Sequence, residues 1–393
     1  MLTFSYSLMH FLEDGLCAFA MYTVFLHKPD AYLFILIYNF CAFALQMPIG
    51  ALCDLLREKQ KDSRGRFRIF PLSSVTAVLG IFVTFFGALT HPAVLGIGNA
   101  LFHVGGGLGT IDEDRKKGLR GQALGIFVAP GAMGLYLGTV IGKVTPEGKF
   151  GLGLLAMLFA FMIATMILYM GLFLAERKRL AAELMRRKAA KEAAAQEKVS
   201  SDKAMPEERV STASDMAEDP ETGSLRDRPF TGLAFLAALL CFLVVVLRSH
   251  VGMSIGFSWK QGIGIGVLAT AMVVGGKMLG GIFSAHIGRK ITVVGSLALA
   301  AVFYLFSGNI VCGLLALLFF NMTMPITLQL LVDRFPHLAG FQFGLLTFAL
   351  FIGFLPTWFR LQNPLPGNLM GLLLSLGSLL MLFGAVLLLD REK

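Results

Sequence analysis

Apolar runs of about twenty residues recur along this chain, each closed by a short charged or Pro/Gly-containing break. A helix of that length spans the hydrocarbon core of a bilayer, and a lipid solvent leaves the backbone few alternatives to helix. The spacing predicts spans over 4–26, 31–56, 69–90, 92–110, 121–142 and 150–175, then over 230–257, 262–284, 291–308, 310–333, 338–358 and 366–389. The expected fold class is therefore an all-α membrane protein of about twelve transmembrane helices in two six-helix halves, 1–175 and 230–393. A soluble fold is excluded by the 56% hydrophobic and 15% charged composition and the mean hydropathy of +0.72, which would force large apolar patches into water.

The net charge of +9 sits in short clusters between the runs, which argues for topology signals and against nucleic acid as a partner. The connection after the second run carries Arg57, Lys59, Lys61, Arg64, Arg66 and Arg68, and that after the fourth carries Arg115, Lys116, Lys117 and Arg120. The alternate connections hold only Lys28, Lys143, Lys149, Lys260 and Arg360. The positive-inside rule then places both termini in the cytoplasm of a multi-pass cytoplasmic (plasma) membrane protein. The opening run lacks a basic leader and contains His10, Glu13 and Asp14, so it is expected to persist as the first membrane helix. Residues 176–229 read as a charged cytoplasmic linker: a basic, Ala-rich helical stretch to Lys198, then a Ser/Glu/Asp/Pro segment too poor in apolar residues to fold alone. Its basic part either is solvated or lies against anionic lipid headgroups.

Ionisable groups inside a bilayer cost about 2.5–3.5 kcal/mol each on insertion scales, so they face protein or a water-filled cavity. His10 and Asp14 are four residues apart on one helical face, with Glu13 three from His10. His103 and Asp14 both fall about 15 Å into their helices, near the midplane. The seventh run adds Arg248 and His250, and the tenth adds Asn321, Thr323, Thr327 and Gln329 around Pro325. A polar load on every third helix is what internal repeats around a central cavity would give. Lys277, Asn39, Gln46 and Gln342 stand outside that pattern. A carboxylate and an imidazole sharing an apolar site exchange a proton as burial and neighbouring charge change, and Arg248 is suited to an anionic group or to an acid on the first helix.

Three motifs carry a resemblance to the major facilitator superfamily. Gly50-Ala-Leu-Cys-Asp54 ends the second run ahead of a basic loop, and Gly281 to Lys290, with Gly288, Arg289 and Lys290, resembles its second copy, although Ala285 and His286 stand where an acidic and a basic residue are usual. Gly125, Ala129, Pro130, Gly131 and Gly134 are similar to an antiporter-associated helix 5 motif. Within the superfamily, His10-Phe-Leu-Glu-Asp14, Gly96 to His103 and Leu247-Arg-Ser-His250 resemble the fosmidomycin-resistance-like efflux group, with Val104 and Gly105 in place of the usual Pro-Glu. The resemblance implies a major-facilitator fold and secondary transport of a small molecule by alternating access, coupled to protons as antiport. In this reading His10, Glu13, Asp14, His103, Arg248, His250 and Asn321 serve the proton or the substrate, and Asp54 serves as a conformational latch.

No cofactor and no enzymatic activity are expected: Gly105-Gly106-Gly107 lacks a following Gly-Lys-Ser/Thr and a preceding strand, so it is no phosphate cradle. No metal site is expected either, because the single His-x-x-Glu-Asp set has no second copy and the five cysteines show no Cys-x-x-Cys spacing. An intramembrane metal-binding protein or enzyme, and a transporter-like sensor or assembly protein, remain as alternative readings.

Overall fold

In the computed structural model the structure describes residues 2–62, 71–145, 151, 153–167 and 231–391, with isolated positions from 170 to 189. Contacts divide the chain into two units, Met1–Ile163 with Pro229–Lys393, and Ala164–Arg228. The basic loop residues Arg64, Arg66 and Arg68, and nearly all of the expected 176–229 linker, lie outside the described residues.

Every regular element among the described residues is helical. The helices are α1 (Leu2–Ala20), α2 (Ala31–Lys59), α3 (Leu72–Thr90), α4 (Pro92–Lys117), α5 (Gln122–Val144), α6 (Gly153–Ile167), α7 (Gly232–Ser254), α8 (Ile263–His286), α9 (Arg289–Leu305), α10 (Ile310–Arg334), α11 (Pro336–Trp358) and α12 (Gly367–Asp390). Among the described residues nine of these are long and apolar enough to cross a membrane, and α1, α6 and α9 complete the twelve. The two tightest expected boundaries occur for local reasons. His91 caps α4 by accepting from the Ala93 amide at 3.1 Å ahead of Pro92 in the first turn, and Asn309 caps α10 through the amides of Val311 and Cys312.

Within the first half, helices approach closely where they carry glycine. A Cβ on Gly98 or Gly105 of α4 would fall 2.2–2.3 Å from the α3 backbone amides of Thr84 and Ala77. Gly134 and Gly138 of α5 meet the carbonyls of Phe11 and Gly15 on α1 in the same way, the small-residue packing expected of membrane helices. Gly109 of α4 lies against the Tyr6 ring of α1, and with that contact α1, α4 and α5 come together.

The halves meet along two seams, α2 against α11 and α5 against α8, which exchange places when each helix is shifted by six. We call the end carrying Arg57, Arg115 and Arg289 the basic end. There, Gly50 faces the Gly340 backbone and Gly125 faces Lys277 O and Gly281. At the opposite end Tyr32 stacks on Trp358 with ring centroids 4.3 Å apart and donates to its carbonyl at 2.5 Å, while the Tyr136 hydroxyl donates to Ile263 O at 3.1 Å. Both seams are thus engaged at both ends.

Candidate functional site

The site begins with Pro130. Having no amide hydrogen, it cannot bond the Ile126 carbonyl four residues back, and the helical ladder of α5 breaks at Ala129. The break frees three successive carbonyls, and each is taken by a side chain from elsewhere. Ser7 Oγ of α1, whose one hydrogen is shared with Thr3 O at 2.6 Å, reaches Ile126 O at 3.1 Å, His10 Nδ1 of α1 donates to Phe127 O at 2.8 Å, and Lys277 Nζ of α8 to Val128 O at 3.3 Å. Freed backbone acceptors inside a membrane protein need such partners, and here they orient an imidazole and join the halves.

His103 is oriented in the same manner, its Nδ1 donating to Asn99 O one turn back at 2.8 Å. A carbonyl can only accept, so Nδ1 of both rings carries hydrogen, and both Nε2 atoms present lone pairs unless an extra proton is held. Those two Nε2 atoms face each other at 2.8 Å. Two bare lone pairs repel at that distance; a shared proton converts the contact into a charge-assisted hydrogen bond. Asp14 completes the group, with Oδ2 at 3.1 Å from His10 Nε2 and Oδ1 at 3.5 Å from His103 Nε2, and the Asn99 amide steadies Oδ1 at 3.2 Å. The rings are 7% and 11% exposed and the carboxylate 19%, so the acid is the most accessible part of the cluster. These three residues offer one ligand atom each, all within 4.8 Å of one another, which is also the set that could hold a metal ion.

The expected residues separate into groups. His10, Asp14 and His103 meet, and Gly131 lies against them, since a Cβ there would fall 2.2 Å from His10 Nε2 and 2.5 Å from Asp14 Oδ2. Glu13 turns to the other side of α1, where Thr84 of α3 bonds its Oε1 and Cys17 approaches at 3.9 Å; its Oε2 is buried without a hydrogen bond. Asn321 donates to Leu317 O in its own helix. His250 lines a cavity of about 280 Å³ with Pro356 and Asn363. Arg248 is buried with Nη1 lacking a hydrogen bond, and among the described residues it forms no ion pair with an acid of α1. The every-third-helix set is therefore realised on α1 and α4, joined by α5 and Lys277, while the α7 and α10 residues stay apart from it.

At the basic end, Asp54 of α2 accepts from the amides of Gly340 and Phe341 at 2.9 and 2.8 Å, so a carboxylate from one half sits on the first turn of α11 in the other. The second motif copy is wired differently: Arg289 pairs with Asp333 of α10 and Lys290 with Asp390 of α12 at 2.9 Å, all within the second half. Gly288 sits at φ 93° as the cap of α9. The sequence did not point to Thr84, held Asn99 only within the Gly96–His103 motif, and marked Arg115 only as a topology charge. Asn99 was within its reach, because Asn99 and His103 share a face at i, i+4; Arg115, which donates to Val332 O at 2.9 Å and Pro336 O at 3.1 Å across the halves, carried no such signal.

Residues 3–358 match the Major Facilitator Superfamily. The chain belongs to that superfamily. Among solved structures, this superfamily member is similar to a Major Facilitator Superfamily transporter, FucP, in its outward conformation, with a TM-score of 0.56 and 11% identity, 99% of each chain being covered. It is equally similar to a point variant of the E. coli fucose:proton symporter FucP, with a TM-score of 0.56 and 12% identity over 100% of this chain and 97% of that one. At such identities the likeness establishes the fold. No curated protein sequence matches significantly. Membership and fold make the chain a multi-pass membrane transporter and not an enzyme.

Proposed function

We propose that the chain is a proton-coupled secondary antiporter that exports a small molecule, its halves 1–175 and 230–393 rocking about the His10–Asp14–His103 cluster. The observation that carries this reading is the 2.8 Å approach of two Nε2 atoms whose Nδ1 atoms are both committed to carbonyls, a geometry that a proton shared between the two rings would stabilise. His10 takes its orientation from Phe127 O, and the next carbonyl, Val128 O, is held by Lys277 of the opposite half. Parting of the α5–α8 seam releases that bond beside the proton, so the proton's environment changes with conformation. Arg248, buried with an open donor, supplies a place for an anionic part of the substrate. The termini and the 176–229 linker lie on the cytoplasmic side of the plasma membrane.

The test is the pH change inside proteoliposomes on adding amphipathic drugs, phosphonates, sugars or organic acids to wild type, Asp14→Asn and His103→Ala. A solute-driven proton flux absent from both variants supports the reading. A flux undiminished in either variant removes that residue from coupling, and solute transport with no proton movement ends the proton assignment.

A further inference from the structure

We infer that His10, Asp14 and His103 form a binding site for one divalent first-row transition-metal cation. The inference shares its residues with the proposed proton position but rests on their placement, independently of transport. The ligand atoms are separated by 2.8 Å between the two Nε2 atoms, and by 3.1 and 3.5 Å from them to the Asp14 oxygens. Bonds of about 2.0–2.1 Å in tetrahedral geometry place ligand atoms about 3.3 Å apart, so the ion needs the two Nε2 atoms to part by about 0.5 Å and one Asp14 oxygen to turn toward both rings, one ligand atom from each residue already lying within 4.8 Å of the others. The sequence offered one His-x-x-Glu-Asp set; the third ligand comes from α4, brought against α1 by the fold.

Two further features belong to a metal site. Each imidazole is turned by a hydrogen bond from its far nitrogen to a backbone carbonyl, Phe127 O or Asn99 O, and Asn99 also bonds the carboxylate, an outer layer that fixes tautomer and ring direction in metal proteins. Beside the cluster, α5 presents Gly131, where any side chain would fill the space against His10 Nε2 and Asp14 Oδ2. Three protein ligands leave a fourth position for water or a solute group. Two imidazoles and one carboxylate suit zinc, cobalt, nickel or ferrous iron and are poorly matched to magnesium or calcium, which take oxygen ligands.

The experiment uses full-length purified protein stripped with a chelator and titrated with Zn²⁺ by calorimetry against a competing chelator, with Co²⁺ as a spectroscopic probe. We expect one zinc per chain, unaffected by excess Mg²⁺, and at least about a hundredfold weaker binding in His103→Ala. His103→Cys, checked for folding by size exclusion, should bind Co²⁺ with a new sulfur-to-metal charge-transfer band. No stoichiometric zinc in wild type, or equal binding in wild type and His103→Ala, overturns the site. Solute-driven proton flux in a chain that binds no zinc overturns this inference alone; zinc bound by a chain with no proton flux supports it and counts only against the proton-coupling reading.

Discussion

Lys277 of α8 reaches across the junction of the halves to the carbonyl of Val128, one residue beyond the carbonyl that orients His10. A cation of the second half thus holds the backbone from which the first half's buried cluster hangs. Hydrogen bonds to charged groups contribute about 1.5–3 kcal/mol; at 3.3 Å this one belongs near the lower figure. Lys277→Met should therefore shift the population toward a parted α5–α8 seam by about tenfold. Spin labels at Arg120 and Ile291, which flank an 810 Å³ cavity at the basic end, report the shift as a longer distance component. An unchanged distance distribution would mean that Lys277 does not tie the halves.

Asp54 accepts two amide bonds from the first turn of α11, so its charge and the helix terminus act together. Asp54→Ala should open the α2–α11 seam at the basic end by about 10- to 100-fold in population, whereas Asp54→Asn, with one acceptor oxygen and no charge, should fall between. A label pair placed across the α2–α11 seam at the basic end reads both variants, and equal distributions for all three proteins would sink the latch. Removing Lys290 is expected to leave that distribution unchanged, because its partner Asp390 is in its own half.

The helix count was legible because run length and bilayer thickness fix each other, and Pro92 and Asn309 mark their boundaries by capping chemistry that single residues carry. The meeting of His10, Asp14 and His103 was legible as well, from an i, i+4 face and a common depth. What periodicity does not encode is the rotation of each helix against its neighbours. Glu13 shares the helical stretch of His10 and Asp14 yet points to Thr84, and Arg248 and Asn321, expected to serve the same proton or substrate, do not join the cluster. Nor could the sequence show that the carbonyls freed by Pro130 would find their donors on α1 and α8, because those partners are 119 and 149 residues away for Ser7 and Lys277.

Gly131 and Gly134 lie in one motif but should fail differently when changed to alanine. A Cβ on Gly131 meets the His10 ring and the Asp14 carboxylate, side chains that can move, while one on Gly134 meets the Phe11 carbonyl at 1.9 Å, which cannot move without shifting α1. Gly131→Ala should cost about 1 kcal/mol of stability, at the low end for overpacking, and lower solute-driven proton flux more than tenfold. Gly134→Ala should lower the melting temperature by several degrees more than Gly131→Ala does. Similar melting curves for the two, or full flux in Gly131→Ala, would contradict the placement of Gly131 beside the cluster.

Pro130→Ala tests whether the break in α5 exists for function. Restoring an amide at this position lets Ile126 O regain its helical bond and removes a residue that costs about 3 kcal/mol inside a helix. The helix can then close through Ala129, and the Phe127 and Val128 carbonyls return to their own ladder, in competition with His10 and Lys277. Thermal stability should rise or hold. Proton coupling should fall at least tenfold, because the His10 ring loses the bond that aims its Nε2 at His103. Amide hydrogen exchange over 126–133 should slow in the variant as the ladder closes. Faster exchange together with lower stability would instead mean that the proline break is required for packing α5 against α1, and that the three freed carbonyls are a consequence of packing alone.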